Sequence, residues 1–320
     1  MKQLHLFPGS APTTNLGFGT TSMMGLSATR DRLGLLACAF EAGIRHFDTA
    51  PYYGYGEAER VMGEFLTGRR DQVTITTKYG IQAPAVLKAR WVNLLARRIL
   101  RLVPSMRKAL SRQAQSLSKK CVFNPAEARR SLDQSLAALK TDHMDLFLLH
   151  EPTFADAASD EIHGFLADEL RRGRIKAFGC GGNYRVIQDI ATAELATAEW
   201  LQFEDNVLSR RIEGMRPDGS RCITFGSFKA LSALTHWLES VPGRYAQWER
   251  ELGCNCRSQD TLAGLLQAGS HARNPDGIVL FSTKQADRIA AAVSVASGNL
   301  FSRAQVQKFD ELARSVQIPV

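Results

Sequence analysis

What this sequence lacks narrows it before anything it contains. No window of its 320 residues approaches the roughly twenty apolar residues of a membrane span, and the opening Met1–Gly9 stretch is too poor in apolar residues for a secretory signal. A soluble, cytoplasmic protein is therefore expected. Cysteine is scarce: Cys38, Cys121, Cys180, Cys222, Cys254 and Cys256 are scattered without a paired CxxC rhythm. Neither structural zinc nor a disulfide framework is expected, and Cys254-Asn255-Cys256 reads as a loop with two ordinary thiols ahead of a metal site or a redox pair. Acid is missing from one stretch, since residues 83–120 hold ten Lys/Arg and no Asp or Glu. Outside it 30 basic residues face 32 acidic ones, so the net charge of +8 is local and does not point to nucleic acid. A third glycine is missing too: Gly17-Phe18-Gly19 lacks the spacing of a dinucleotide-binding loop.

Apolar content is ample, at 44%, and supports one large core. The chain is organised around His46-Phe47-Asp48-Thr49-Ala50-Pro51-Tyr52-Tyr53-Gly54. Here a buried strand, Gly43–Phe47, delivers an acid and then a phenol onto a turn before a helix opens near Glu57. Two later strands end alike. Val73–Thr77 is β-branched and stops at Lys78, and Met144–Leu149 stops at His150, each followed by breakers.

Strand and helix patterns alternate along the chain. Strands are expected at Asn15–Thr21, Gly43–Phe47, Val73–Lys78, Met144–His150, Arg174–Gly179, Trp200–Phe203, Cys222–Phe225 and Gly277–Phe281. Helices are expected from Thr29 as a cap, over Glu57–Leu66, Pro125–Leu139, Asp156–Arg172, Arg185–Ala196, Asp260–Ala268 and Lys284–Ala296. The pattern predicts α/β class and a (β/α)8 TIM barrel, one domain over residues 1–320, with a doubly wound open sheet as the rival. In a barrel, Asp48, Tyr53, Lys78 and His150 converge at one rim. Segments 83–120, 206–219 and 228–256 overflow the alternation and would lie over that mouth.

The chemistry of such a cluster is specific. A phenol with a pKa of ~10 is a weak acid at neutral pH, so a site that uses one must stabilise phenolate with a fixed cation. Lys78 supplies that charge, Asp48 holds the ammonium, and His150 donates to the oxygen the phenol protonates. Tyr52 and Tyr55 are competing phenols. Taken singly, Asp48 reads as a cap, Tyr53 as turn packing, Lys78 as a solvated strand end and His150 as a core histidine. Jointly, at the ends of three successive strands, they read as a site.

Phe47-Asp48-Thr49-Ala50-Pro51-Tyr52-Tyr53-Gly54, with Lys78 and with His150 in Leu148-Leu149-His150-Glu151-Pro152, resembles the signature and tetrad of the aldo-keto reductases over roughly residues 13–300. The resemblance implies an NAD(P)(H)-dependent oxidoreductase that moves hydride between a nicotinamide cofactor and an aldehyde, ketone or sugar. Gly179-Cys180-Gly181-Gly182-Asn183 is similar to the form seen in aldose dehydrogenase-like members, which implies oxidative sugar dehydrogenation as an alternative. A further alternative is a cofactor-binding regulatory subunit with little turnover.

By the same resemblance, Asn183 and Gln202 bind the nicotinamide carboxamide, Phe225 stacks on its ring, and Gly19, Thr20 and Thr21 face the cofactor. Ser282, Thr283 and Arg288 take the adenosine phosphate, with NADP expected ahead of NAD. Ser282 stands where many members place a basic residue, and Ala291 and Ala292 replace polar adenine contacts. Residues 83–120, with Trp91, Leu95, Leu102, Met106 and Leu110 at helical spacing around Pro104, read as a basic surface helical hairpin. Of two sharper roles, a lid recruiting an anionic substrate is preferred to peripheral membrane contact, and liposome flotation at low salt separates them.

Overall fold

The run Leu146–His150 buries four consecutive side chains before a histidine that is only partly covered. A strand holds such a run only when both of its faces are covered. The computed structural model describes residues 1–82, 119–215 and 221–316. In chain order its strands are β1 (Gln3–His5), β2 (Pro12–Thr14), β3 (Leu16–Gly19), β4 (His46–Asp48), β5 (Thr74–Tyr79) and β6 (Ile81–Gln82). They continue as β7 (Lys119–Lys120), β8 (Leu146–His150), β9 (Phe178–Gly181), β10 (Trp200–Glu204), β11 (Arg221–Phe225) and β12 (Ile278–Phe281). Eight of them, β3, β4, β5, β8, β9, β10, β11 and β12, pair in parallel and close on themselves, β12 against β3. This is the (β/α)8 barrel, not the open sheet.

Around it lie α1 (Thr29–Glu41), α2 (Glu57–Phe65), α3 (Pro125–Leu139), α4 (Phe154–Ala157), α5 (Asp160–Arg171) and α6 (Tyr184–Thr192). Then come α7 (Ala230–Glu239), α8 (Arg244–Leu252), α9 (Gln259–Arg273), α10 (Asp287–Ala296) and α11 (Arg303–Arg314). Helix α3 begins where its residues dictate: the Asn124 side chain accepts from Glu127 N at 2.9 Å, and Pro125 follows at the first helical position. The lower barrel is filled by Leu146, Leu148, Trp200, Ile223, Ile278 and Leu280. The antiparallel β1/β2 hairpin plugs that end with Leu4 and Leu6, and Trp200 Nε1 donates to Leu6 O at 3.1 Å.

Several expected boundaries move. The fifth barrel strand is Phe178–Gly181, not Arg174–Gly179; Met144 and Ile175 make only an isolated bridge. Its glycines let β10 approach: a Cβ on Gly179 would sit 1.9 Å from Trp200 O. The helix expected over Asp156–Arg172 is two helices, because Ser159 caps α5 by accepting from Ile162 N. Thr29 lies inside α1, whose cap position is Ala28 without a side-chain bond. Lys78 lies within β5 and does not end it.

The basic stretch begins and ends at the barrel rim. β6 and β7 pair antiparallel, Cys121 N donates to Gly80 O at 2.9 Å, and Tyr79 Oη donates to Val122 O at 2.7 Å. The helical expectation for Trp91 to Leu110 lies outside the described residues. No helix among the described residues is long and apolar enough to cross a membrane.

Candidate active site

Register fixes the rim. Asp48 pairs with Gly19 and Thr76, Lys78 with Leu148, His150 with Gly181, and Gly181 with Gln202. Asp48 and His150 are therefore the last residues of their strands, and Lys78 is the last but one. After Asp48 the chain turns through Pro51, and the left-handed residues Gly54, Tyr55 and Gly56 (φ 59°, 61° and 92°) lead it into α2. That turn brings the Tyr53 hydroxyl to 3.2 Å from Lys78 Nζ.

The Lys78 ammonium has three donors and uses all of them. It donates to Asp48 Oδ1 at 2.6 Å, to Thr49 O at 3.0 Å and to Tyr53 Oη at 3.2 Å. Lys78 and Asp48 are both essentially buried. Burial opposes the lysine's charge, but Asp48 and then Tyr53 outweigh it, so Lys78 is held above the usual lysine range. Its Nζ also lies 4.9 Å from the Tyr53 ring centroid. Of the three clustered phenols Tyr53 is the one Lys78 reaches, while Tyr52 and Tyr55 pack edge to face at 6.3 Å.

His150 stands edge to face with Tyr53, ring centroids 6.3 Å apart. Burial, and then the Lys78 charge, push its imidazole down to about 3, so it is neutral across the physiological range. A neutral imidazole beside a phenol held by an ammonium can donate one hydrogen bond to an oxygen placed between them.

Gln202 is buried at the same level, and its Nε2 donates to Asp48 Oδ2 at 2.8 Å. Both carboxylate oxygens of Asp48 are thereby bonded, one by lysine and one by amide. The contact of Gln202 with Asp48 is not one the sequence foretold. Thr20 Oγ1 donates to Thr49 Oγ1 at 3.1 Å, beneath the carbonyl that Lys78 uses.

The remaining expected residues occupy the surrounding rim. Ser282 Oγ donates to Gly19 O at 2.6 Å and accepts from Ser22 N at 3.0 Å, joining the ends of β3 and β12, the first and last strands of the barrel. Thr21 is exposed beside them and Phe225, half-buried, ends β11. Asn183 caps α6, its side chain accepting from Arg185 N at 3.0 Å while its own N donates to Glu151 Oε2 at 3.0 Å. Glu151, held at φ 56°, is a rim residue that sequence reasoning passed over. Its only signal is adjacency to His150. Arg288 is exposed in the first turn of α10, and Thr283 Oγ1 accepts from Gln285 N just before it.

These groups fit a nicotinamide dinucleotide. The Gln202 Oε1 atom accepts no hydrogen bond among the described residues, and Gly181 leaves space beside it, since a Cβ there would meet that oxygen at 3.2 Å. Asn183 donates nothing from its side-chain amide among the described residues. A carboxamide needs such a donor and acceptor pair. Lys284 and Arg288 make no ion pair among the described residues and stand at the start of α10, a position suited to phosphate.

The aldo/keto reductase family profile matches residues 15–217. The chain is 34% identical over 195 residues to a pyridoxal 4-dehydrogenase of Microbacterium luteolum, covering 55% of this chain and 54% of that protein. It is 30% identical over 196 residues to a D-threo-aldose 1-dehydrogenase of a Pseudomonas species, covering 58% and 54%. The matched region thus spans about half the length of these relatives. In fold it superposes on an aldo-keto reductase from Bacillus halodurans with a TM-score of 0.71 at 18% identity, over 99% of this chain and 97% of that one. With the profile covering more than half of the chain and the closed barrel beneath it, this protein belongs to the aldo/keto reductase family.

Proposed function

We propose that this chain is an oxidoreductase that transfers hydride between NADP(H) and an aldehyde, ketone or sugar, with Tyr53 as the general acid and base. The observation that carries the proposal is the single ammonium of Lys78 bonded at once to Asp48 and to the Tyr53 phenol. The nicotinamide, when bound, supplies or accepts the hydride. Tyr53 Oη gives its proton to the substrate oxygen in reduction and takes it back in oxidation. Lys78 stabilises the phenolate left behind, Asp48 keeps Lys78 in place, and neutral His150 donates to the same substrate oxygen.

Gln202 Oε1 and the Asn183 amide are suited to orient the carboxamide, the Phe225 ring to stack on the nicotinamide, and Gly19, Thr20 and Thr21 to flank it. Ser282, Thr283 and Arg288 stand where the adenosine phosphate would lie. Lys284 and Arg288 together favour NADP over NAD, because two cations without an ion-pair partner among the described residues suit a 2′-phosphate. Sugar oxidation is the second reading, supported by the Gly181-Gly182-Asn183 turn and by the aldose dehydrogenase among the relatives.

The test is a panel of aldehydes and sugars assayed with both cofactors. Tyr53→Phe is expected to lower kcat by about 10²-fold or more while NADPH affinity, read by fluorescence, stays within about twofold. Retained turnover in that variant would reject Tyr53 as the acid. Absence of turnover in the unaltered protein, with NADPH still bound, would favour a regulatory subunit.

A further inference from the structure

The carboxamide position of Gln202 does not account for where its amide nitrogen goes. Nε2 is directed at Asp48 Oδ2, 2.8 Å away, and both residues are almost wholly buried. Asp48 Oδ1 is the closest partner of Lys78. A carboxylate held by one oxygen can swing about its terminal bond, and one held by both cannot. Gln202 is thus the group that sets the plane of Asp48, and through it the position of the ammonium. Its other end, Oε1, lies toward the gap left by Gly181 at the rim.

We propose that Gln202 is a positioning residue for the acid site: its amide locks Asp48 onto Lys78 while its oxygen is left for the cofactor, so one side chain couples cofactor seating to the proton donor. This rests on the site reading above. A bound carboxamide that donates to Oε1 polarises the same amide and strengthens the Nε2 bond to Asp48. The lock itself is made between two side chains of this chain, so it is expected to operate in cofactor-free protein as well.

The charges facing Lys78 are few and each has a place. Asp48 is on β4, Tyr53 on the following turn, His46 lies lower on β4, His150 ends β8, and Glu59 reaches in from α2. Of these, Asp48 is the principal group that keeps Lys78 charged against its burial. Loosening Asp48 should therefore make the Lys78 proton easier to lose, and adding negative charge beside Asp48 should do the opposite. General loosening of the barrel cannot produce shifts of opposite sign.

The experiment follows the 13Cε resonance of Lys78 in cofactor-free protein labelled at lysine, titrated upward from pH 7, in the unaltered chain, Gln202→Met and Gln202→Glu. The midpoint is expected to fall by about one unit in Gln202→Met and to rise in Gln202→Glu. Asn183→Ala, which removes the proposed carboxamide contact and the α6 cap but leaves the Gln202 to Asp48 bond in place, is expected to weaken NADPH binding and leave the Lys78 midpoint unmoved. In turnover, Gln202→Met is expected to lower kcat by roughly ten- to a hundredfold, the effect of one hydrogen bond to a charged group.

If both Gln202 variants fold and bind NADPH more weakly but leave the Lys78 midpoint where it was, Gln202 is a cofactor ligand only and the inference is overturned. Shifts in the same direction for both variants overturn it as well. If the unaltered protein turns over nothing on the panel while the opposite shifts appear, the positioning role stands and the hydride-transfer reading fails. The two ideas are thus separable.

Discussion

At the scale of single residues, the rim separates charged from neutral groups by the partners each one meets once buried. Lys78 keeps its proton because Asp48 and Tyr53 meet it, whereas His150, on the other side of the Tyr53 contact, is pushed down to about 3 by burial and by that lysine. Neutral His150 sets the expected pH dependence. No inflection from its imidazole should appear in kcat/KM between pH 5 and 8, and a pH-rate profile of the unaltered protein and His150→Gln checks this. An inflection near pH 6.5 that vanishes in the variant would contradict the assignment.

The same depression has a stability consequence. An unfolded histidine titrates near 6.5 and the folded one near 3, so the folded state binds fewer protons between those values. Stability is therefore full above about pH 6.5 and is lost as pH falls toward 3, by up to about 1.4 kcal/mol per unit for each such histidine. His46, buried in the barrel between Thr74 and Thr76 and likewise pushed down to about 3, adds to the slope. Urea titrations at pH 7, 6 and 5 measure it.

At the scale of elements, α2 is tied to β5 by a buried acid. Thr77 Oγ1 donates to Glu59 Oε1 at 2.6 Å, one residue along the strand from Lys78 and within the helix that follows the Tyr53 turn. Burial raises the Glu59 carboxyl above its usual 4.5, against the hydroxyls of Thr77 and Ser135 and the charge of Lys78. A raised acid contributes stability that is complete below the unfolded value and lost as pH rises through the folded one. Glu59→Gln keeps the acceptor for Thr77 and removes the titration, so it is expected to be neutral near pH 4 and stabilising at pH 8. Thermal unfolding at the two pH values decides, and equal effects at both would reject the account.

Elements also show where sequence was readable. β4, β5 and β8 were legible because β-branched or apolar runs stop at Pro or Gly, and their end residues carry the site. β9 was misplaced because Phe178-Gly179-Cys180-Gly181 has weak strand propensity, and its pairing is set by Trp200 pressing over Gly179. The β1/β2 hairpin escaped because Leu4 and Leu6 are too few to signal a plug. α8 and α11 were passed over, although Ser302 and Gln305 form a capping box ahead of Val306, Phe309 and Ala313. The Gln202 to Asp48 bond was illegible in principle, since it joins residues 154 positions apart.

At the scale of the whole molecule, one charge feature is tethered to the site by geometry. Ten basic residues and no acid fall within 83–120, and the stretch leaves and rejoins the barrel through the paired strands β6 and β7, three residues after Lys78. Because Gln82 and Lys119 are directly opposed in that ribbon, replacing residues 83–118 by Asn-Gly should close a short hairpin without strain. Among the described residues the eight barrel strands close on one another and pack with side chains from outside the stretch, so the shortened protein is expected to keep its near-ultraviolet circular dichroism. Function should respond through charge. A positive field fixed at the mouth raises the encounter rate of anions and is screened by salt over about 8 Å at physiological ionic strength. NADPH is an anion, so kcat/KM for NADPH in the intact protein should fall as salt rises, and in the shortened protein it should start lower and vary little. A salt dependence identical in the two proteins would show that these charges do not act on the site. Retention of the intact protein alone on anionic liposomes at low salt would direct them to a membrane surface instead.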